Sequence, residues 1–125
     1  MRSLSYEAVL VLHEKLIRRH GGLAGLRDEG VLRAALSQPD AAFDGHDLYP
    51  SVADKAAAVA HAIIANHPFH DGNKRVGHAL LEIVLRLNGL RLEAEFEDRE
   101  AFILTTAAGQ VAREAFRAWV RAHIV

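Results

Sequence analysis

From Ala56 to His70 the chain runs fifteen residues without an Asp, Glu, Lys or Arg. With His61, Asn66, His67 and Pro68 inside it, the stretch is too short and too polar to span a bilayer, so it belongs in a protein core. Ala56, Val59, Ala60 and Ile63 fall on one helical face. Ser51 stands at the N-cap with Asp54 three residues on, and Pro68 stops the helix. A second apolar helix follows from about Asn73 to Asn88. Val76, Leu80, Ile83, Val84 and Leu87 form its stripe, widened by Leu81 and Leu85. Its one polar strip is Arg75, His78, Glu82 and Arg86, and this apolar breadth predicts the central, mostly buried helix of the fold.

The rest of the chain supplies helices to cover those two. Ser5 caps one through about Arg19, with Val9, Leu12 and Leu16 on a face and Gly21-Gly22 at its end. Asp28 opens a short helix that Pro39 closes. Residues 39–50 read as a loop or small hairpin around Asp44-Gly45, with Phe43, Leu48 and Tyr49 looking exposed. Gly89 ends the fourth helix, and Leu90 to Phe96 alternate like a short strand. Asp98 opens a helix to about Ala108, and the last carries Ala112, Ala115, Phe116, Trp119 and His123 on one face. The expectation is an all-α fold: one compact bundle of five or six helices, a single domain spanning 1–125.

Composition narrows the function classes. Fifteen basic residues against 16 acidic ones give a net charge of −1, so no global basic field holds nucleic acid or an anionic membrane. Cysteine is absent, which rules out disulfides and thiolate metal sites and suits a reducing cytosol. The N-terminus lacks a signal-peptide pattern, so a cytoplasmic protein is expected.

The chemistry is concentrated between the two apolar helices, in His67-Pro-Phe-His-Asp-Gly-Asn-Lys-Arg75. Asp71-Gly72-Asn73 tolerates unusual backbone angles and leaves amide N–H groups pointing outward. Together with the positive end of the following helix, those amides make an anion site. Lys74 and Arg75 sit in the first helical turn, where the dipole disfavours cations unless an anion joins them. Phosphate is the obvious guest. His67, as a neutral imidazole, can take a proton from an attacking hydroxyl. Asp71 can hold magnesium on phosphate oxygens, and Asn73 can donate to phosphate or cap the helix. Base, metal ligand and anion cradle together describe transfer of a phosphorus-containing group.

That run resembles the signature HxFx[DE]GNxR of the Fic/Doc superfamily and matches each of its fixed positions. GLRDEGVLRAAL at 25–36, YPSVADKAAAVAHAIIANHPF at 49–69 and the RLNG ending at Gly89 are similar to Doc, the death-on-curing toxins of toxin-antitoxin systems. The resemblance implies an all-α fold, ATP with Mg2+, and modification of a protein hydroxyl. It implies His67 as base, Asp71 as magnesium ligand, Gly72, Asn73, Lys74 and Arg75 as the phosphate-binding set, and a buried Phe69 anchoring the loop. Adenylylating Fic enzymes usually carry Gly at the position of Lys74 and a second Arg at that of His78. Lysine crowds the path of nucleotide phosphates along the turn, and His is a poorer grip than Arg. Doc-type toxins carry the lysine, although the toxin that names the group has Ala where this chain has Gly72. A protein kinase is therefore the favoured reading and a protein adenylyltransferase the alternative, with an inactive homologue that only binds a partner as a further one.

By the same resemblance the target is translation elongation factor Tu, docked at 39–50. The inhibitory [ST]xxxE[GN] helix of self-restrained Fic enzymes has no convincing copy here, so restraint falls to a separate antitoxin with a helical tail. His61, His67, His70 and Asp71 also invite a metal hydrolase. The blandest expectations are a solvent-facing His70, a satisfied or surface His13 and His123, a His78 facing either the site or solvent, and a solvated Glu82–Arg86 pair.

Overall fold

Three helices begin where a short polar side chain accepts a hydrogen bond from the backbone N–H three residues on: Ser5 from Ala8, Asp28 from Val31 and Ser51 from Asp54. A computed structural model describes residues 1–125. Its helices are α1 (Tyr6–His20), α2 (Glu29–Ser37), α3 (Val52–Asn66), α4 (Asn73–Leu87), α5 (Phe96–Ala107) and α6 (Arg113–Ala122). The only sheet is a hairpin of β1 (Ala42–Phe43) and β2 (His46–Asp47), preceded by a 3-10 turn at Gln38–Asp40. The fold is all-α, and no helix is long and apolar enough to cross a membrane.

The central helix is α3, not α4. Ten of the fifteen residues of α3 are buried against seven of fifteen in α4, and α3 packs on α2, α4, α5 and α6. Alanine adds little to a hydropathy stripe, yet its small side chain lets helices approach from every side. The approach is tightest at Gly77, where an added Cβ would stand 2.5 Å from Ile64 Cγ1 and 3.2 Å from the Ala60 carbonyl oxygen. Leu87, at the far end of the α4 stripe, is exposed.

The hairpin turns through Asp44 (φ 51°) and Gly45 (φ 78°), the two left-handed residues of a tight reversal. Phe43 and Leu48 are exposed as expected, but Tyr49 is buried. The guanidinium of Arg117 lies 4.9 Å from its ring centroid, so α6 closes over this aromatic side chain. Lys55 ties the base of the hairpin to α3 by donating to the Pro39 carbonyl at 3.0 Å.

Beneath that contact lies Asp54, buried in the first turn of α3. Arg117 Nε and Arg121 Nη1 each reach its Oδ1 at 3.2 Å, and Ser51 Oγ donates to Oδ2 at 2.9 Å. Burial alone would raise its carboxyl pKa, but the bonds from Arg117 and Ser51 outweigh it and hold the group below the usual carboxylate range. Near the C-terminus, the alternation in 90–96 yields only an isolated bridge, Leu92 to Ile124. Helix α5 starts at Phe96, two residues before the expected Asp98, with Glu97 and Asp98 in its positive first turn.

Candidate active site

The loop between α3 and α4 is held at every turn by the backbone it crosses. His67 ends α3 in the left-handed region (φ 53°), which Pro68 makes the last residue able to extend the helix. Arg27 covers the carbonyls left over, donating from Nε to His67 O at 2.6 Å and from Nη2 to Asn66 O at 2.9 Å. Its own amide bonds Pro68 O at 2.7 Å, and His70 N reaches Gly25 O at 3.2 Å. Phe69 is buried, as expected of the anchor.

Asn73 closes the loop. Its Oδ1 accepts from Phe69 N and its Nδ2 donates to Phe69 O, both at 3.0 Å, with the residue itself buried. The side chain therefore neither caps α4 nor faces the cleft as a phosphate ligand; what Asn73 offers an anion is its backbone N–H. The N-cap of α4 is Gly72 (φ 79°), which supplies no side-chain cap. The amides of Asn73, Lys74 and Arg75 are thus open at the positive end of a fifteen-residue helix. Glycine takes that angle without strain, whereas an added Cβ would be strained and would meet Ile17 Cδ1 at 3.2 Å.

Asp71 stands at the rim with an exposed carboxylate. Oδ2 accepts from Leu23 N at 3.2 Å and Oδ1 from Gly72 N at 2.9 Å. Those two N–H bonds, first that of Leu23, lower its pKa, with Arg75 adding to the effect. A carboxylate kept ionised at the edge of a cleft suits a hard cation, which needs few protein ligands because it retains water.

A cleft of about 220 Å³ opens over these groups, between Asp71, Lys74 and Arg75 on one side and Glu100 and Leu104 of α5 on the other. It continues into a shallower trough of about 410 Å³ lined by His67, His70, Asp71, Lys74 and Ala107. The two spaces share Asp71, Gly72, Lys74 and Leu104; Arg75 lines the first and His67 the second. His70 is exposed beside them.

His78 lines the inner end, which decides between its two expected placements. Its Nε2 lies 2.6 Å from Glu82 Oε2, off the direction of a regular hydrogen bond, and its Nδ1 lies 3.7 Å from Glu100 Oε1. Arg99 reaches Glu82 Oε1 at 3.1 Å. Glu82 is thus paired with His78 and Arg99 rather than forming a solvated pair with Arg86, and its pKa is lowered, first by the close approach of the His78 ring.

The metal-hydrolase constellation does not assemble. His61 donates from Nε2 to Val111 O at 2.9 Å, and no three His, Asp or Glu side chains are grouped to hold a metal ion. Two contributors escape sequence reasoning. Arg27 acts through carbonyls some forty residues away. His13, buried on α1, stacks on Phe69 with ring centroids 3.8 Å apart and donates from Nε2 to Asp71 O at 2.8 Å. Its one signal is spacing: it lies four residues after Val9 and three before Leu16, on the inward face.

Known proteins resemble the chain in sequence. The family model described as Fic/DOC family matches residues 3–85. Toxin Doc of Mycolicibacterium smegmatis is 40% identical over 89 residues, covering 70% of this chain and 68% of its own. Protein kinase doc of Escherichia phage P1 is 32% identical over 111 residues, covering 86% of this chain and 82% of its own. The matched span takes in α1, which braces the loop, the whole of the loop, and the uncapped start of α4. By that match, and by relatives that run along most of its length, the chain belongs to the Fic/DOC family and resembles its Doc toxins.

Proposed function

We propose that this chain is a Doc-type toxin that transfers the γ-phosphoryl group of ATP to a hydroxyl of a protein, with translation elongation factor Tu as the expected acceptor. The observation that carries the reading is the pair of adjoining spaces around Asp71, Gly72 and Lys74: the His67 imidazole lines one, and Arg75 lines the other at an uncapped helix start. The kinase assignment draws on the name of the phage relative and on Lys74.

In this reading the amides of Asn73, Lys74 and Arg75 and the two cationic side chains hold the phosphate chain. Asp71 is the residue to hold magnesium, which would neutralise charge on the phosphate oxygens. A ring nitrogen of His67 takes the proton as the acceptor oxygen bonds to the γ phosphorus. The bond from that phosphorus to the β–γ bridging oxygen breaks, and ADP leaves. The exposed hairpin, with Phe43 at its tip, is the surface on which the target's backbone would dock. Restraint would come from an antitoxin tail. The groove lined by Leu10, Ile17, Leu26 and Phe69 supplies apolar surface for such a helix.

Incubation with elongation factor and ATP labelled at either the γ or the α position tests the reaction. Label arriving from γ, with a target mass gain of one phosphate, is the expected result. Label arriving from α alone would replace the kinase by an adenylyltransferase, and toxicity that survives His67→Ala would replace both by a binding module.

A further inference from the structure

His13 is the one buried histidine whose ring contacts the loop, and nothing in the proposed chemistry uses it. It is 3% exposed, lies flat on Phe69 (interplanar angle 8°), and its only polar partner is the Asp71 carbonyl. Because that partner is an oxygen, Nε2 must carry the proton.

The bond matters because of the peptide it grips. Between Asp71 and Gly72 the carbonyl and the N–H point in opposite directions across a trans, planar unit. With the oxygen drawn inward to His13, the Gly72 N–H faces the cleft, where it bonds Asp71 Oδ1 at 2.9 Å. Gly72 sits at φ 79°, and glycine populates both signs of φ readily, so the residue itself does little to prevent this peptide from turning over. A reversed peptide would put a carbonyl oxygen into a site built for anions and release the Asp71 carboxylate from one of its two donors. Ile17, one turn along α1, touches the same spot: added Cβ atoms at Gly72 and Gly22 would meet its Cδ1 at 3.2 and 3.1 Å.

We infer that His13 is a positioning residue: its Nε2–H locks the Asp71–Gly72 peptide so that the Gly72 amide holds Asp71 ready for a phosphate-bound cation. The inference rests on the transferase reading for its consequence, but not for the geometry. His13→Phe keeps the stack on Phe69 and removes the donor; His13→Gln removes the ring and keeps a donor.

The experiment combines amide and imidazole NMR of the full chain with titration of ATP, once with magnesium and once with a chelator. The wild-type His13 ring should show a protonated Nε2 and a bare Nδ1. In His13→Phe the Gly72 amide signal should move, and affinity for ATP with magnesium should fall about tenfold, the effect of losing one well-placed hydrogen bond. ATP without magnesium should be affected less, and His13→Gln should restore most of the loss. A proton on Nδ1 instead, an unmoved Gly72 signal in His13→Phe, or a Gln variant as poor as the Phe variant would each overturn the inference. Should His13→Phe fail to fold, the wild-type tautomer and the Gln variant still decide it. A wild-type chain that binds no ATP would defeat the transferase reading instead, leaving the ring and amide signals to judge the peptide.

Discussion

Helices α3 and α4 pack against each other but begin in opposite ways. At the start of α3, Ser51 caps the amide of Asp54, and Asp54 supplies an acid in the first turn that two arginines then neutralise. At the start of α4 the cap is Gly72, no side chain reaches the amides, the first turn has no acid, and Lys74 and Arg75 are in it. The first terminus is finished by the protein's own groups; the second has none of these, which is why the proposed function puts phosphate there. Helices α5 and α6 also lack a side-chain cap, but each has an acid in its first turn; only α4 starts with neither cap nor acid, and that is the ground for proposing an anion there.

The largest effect expected at the open terminus comes from its neighbouring base. His67→Ala should lower target labelling by about 10²–10⁴-fold, the range for loss of a general base, while the thermal midpoint stays near that of the wild type because the side chain is exposed. Labelling assays and a melting curve on the same preparation check both halves. Lys74→Glu makes α4 begin as α3 does. It should cut ATP affinity severely while leaving helix stability equal or raised by about 0.5 kcal/mol.

At the closed terminus the expected losses are of stability. Asp54→Asn leaves Arg117 with Glu114 as its one remaining carboxylate partner and weakens two charge-assisted bonds at a buried site, which should cost about 1.5–3 kcal/mol at neutral pH, read by denaturant unfolding. The sign with pH follows from the lowered carboxyl: its contribution is fully present above the ordinary carboxylate value near 3.8 and disappears as pH falls through the depressed folded value. The wild type should therefore lose stability below about pH 4 more steeply than the Asn variant. Gly77→Ala, at the crossing of the same two helices, should cost about 1–3 kcal/mol, since its methyl would collide with Ile64. Ser51→Ala is the mildest, about 1 kcal/mol.

How much of this could be read beforehand differs between the two termini as well. The cap at Ser51 and the placing of residues 67–75 between two apolar helices, with Phe69 buried as their anchor, are local, carried by neighbouring residues, and were legible. The rest depends on partners distant in sequence. The centrality of α3 hides in alanines, whose value lies in what they allow to come near. Tyr49 looked exposed because its cover, Arg117, belongs to the last helix. Asn73 reads as a phosphate ligand or helix cap until the fold brings the Phe69 backbone to both of its side-chain atoms. His13 looked incidental because its partner is a carbonyl 58 residues away.

The contrast between the two termini is tested most directly by following backbone amide signals while ATP and magnesium are titrated into the wild-type chain. The amides of Asn73, Lys74 and Arg75 should shift most and saturate together, while those of Ala53 and Asp54 at the start of α3 stay where they are. Saturable binding that leaves residues 73–75 unmoved would contradict the account, because the phosphates would then lie elsewhere on the molecule.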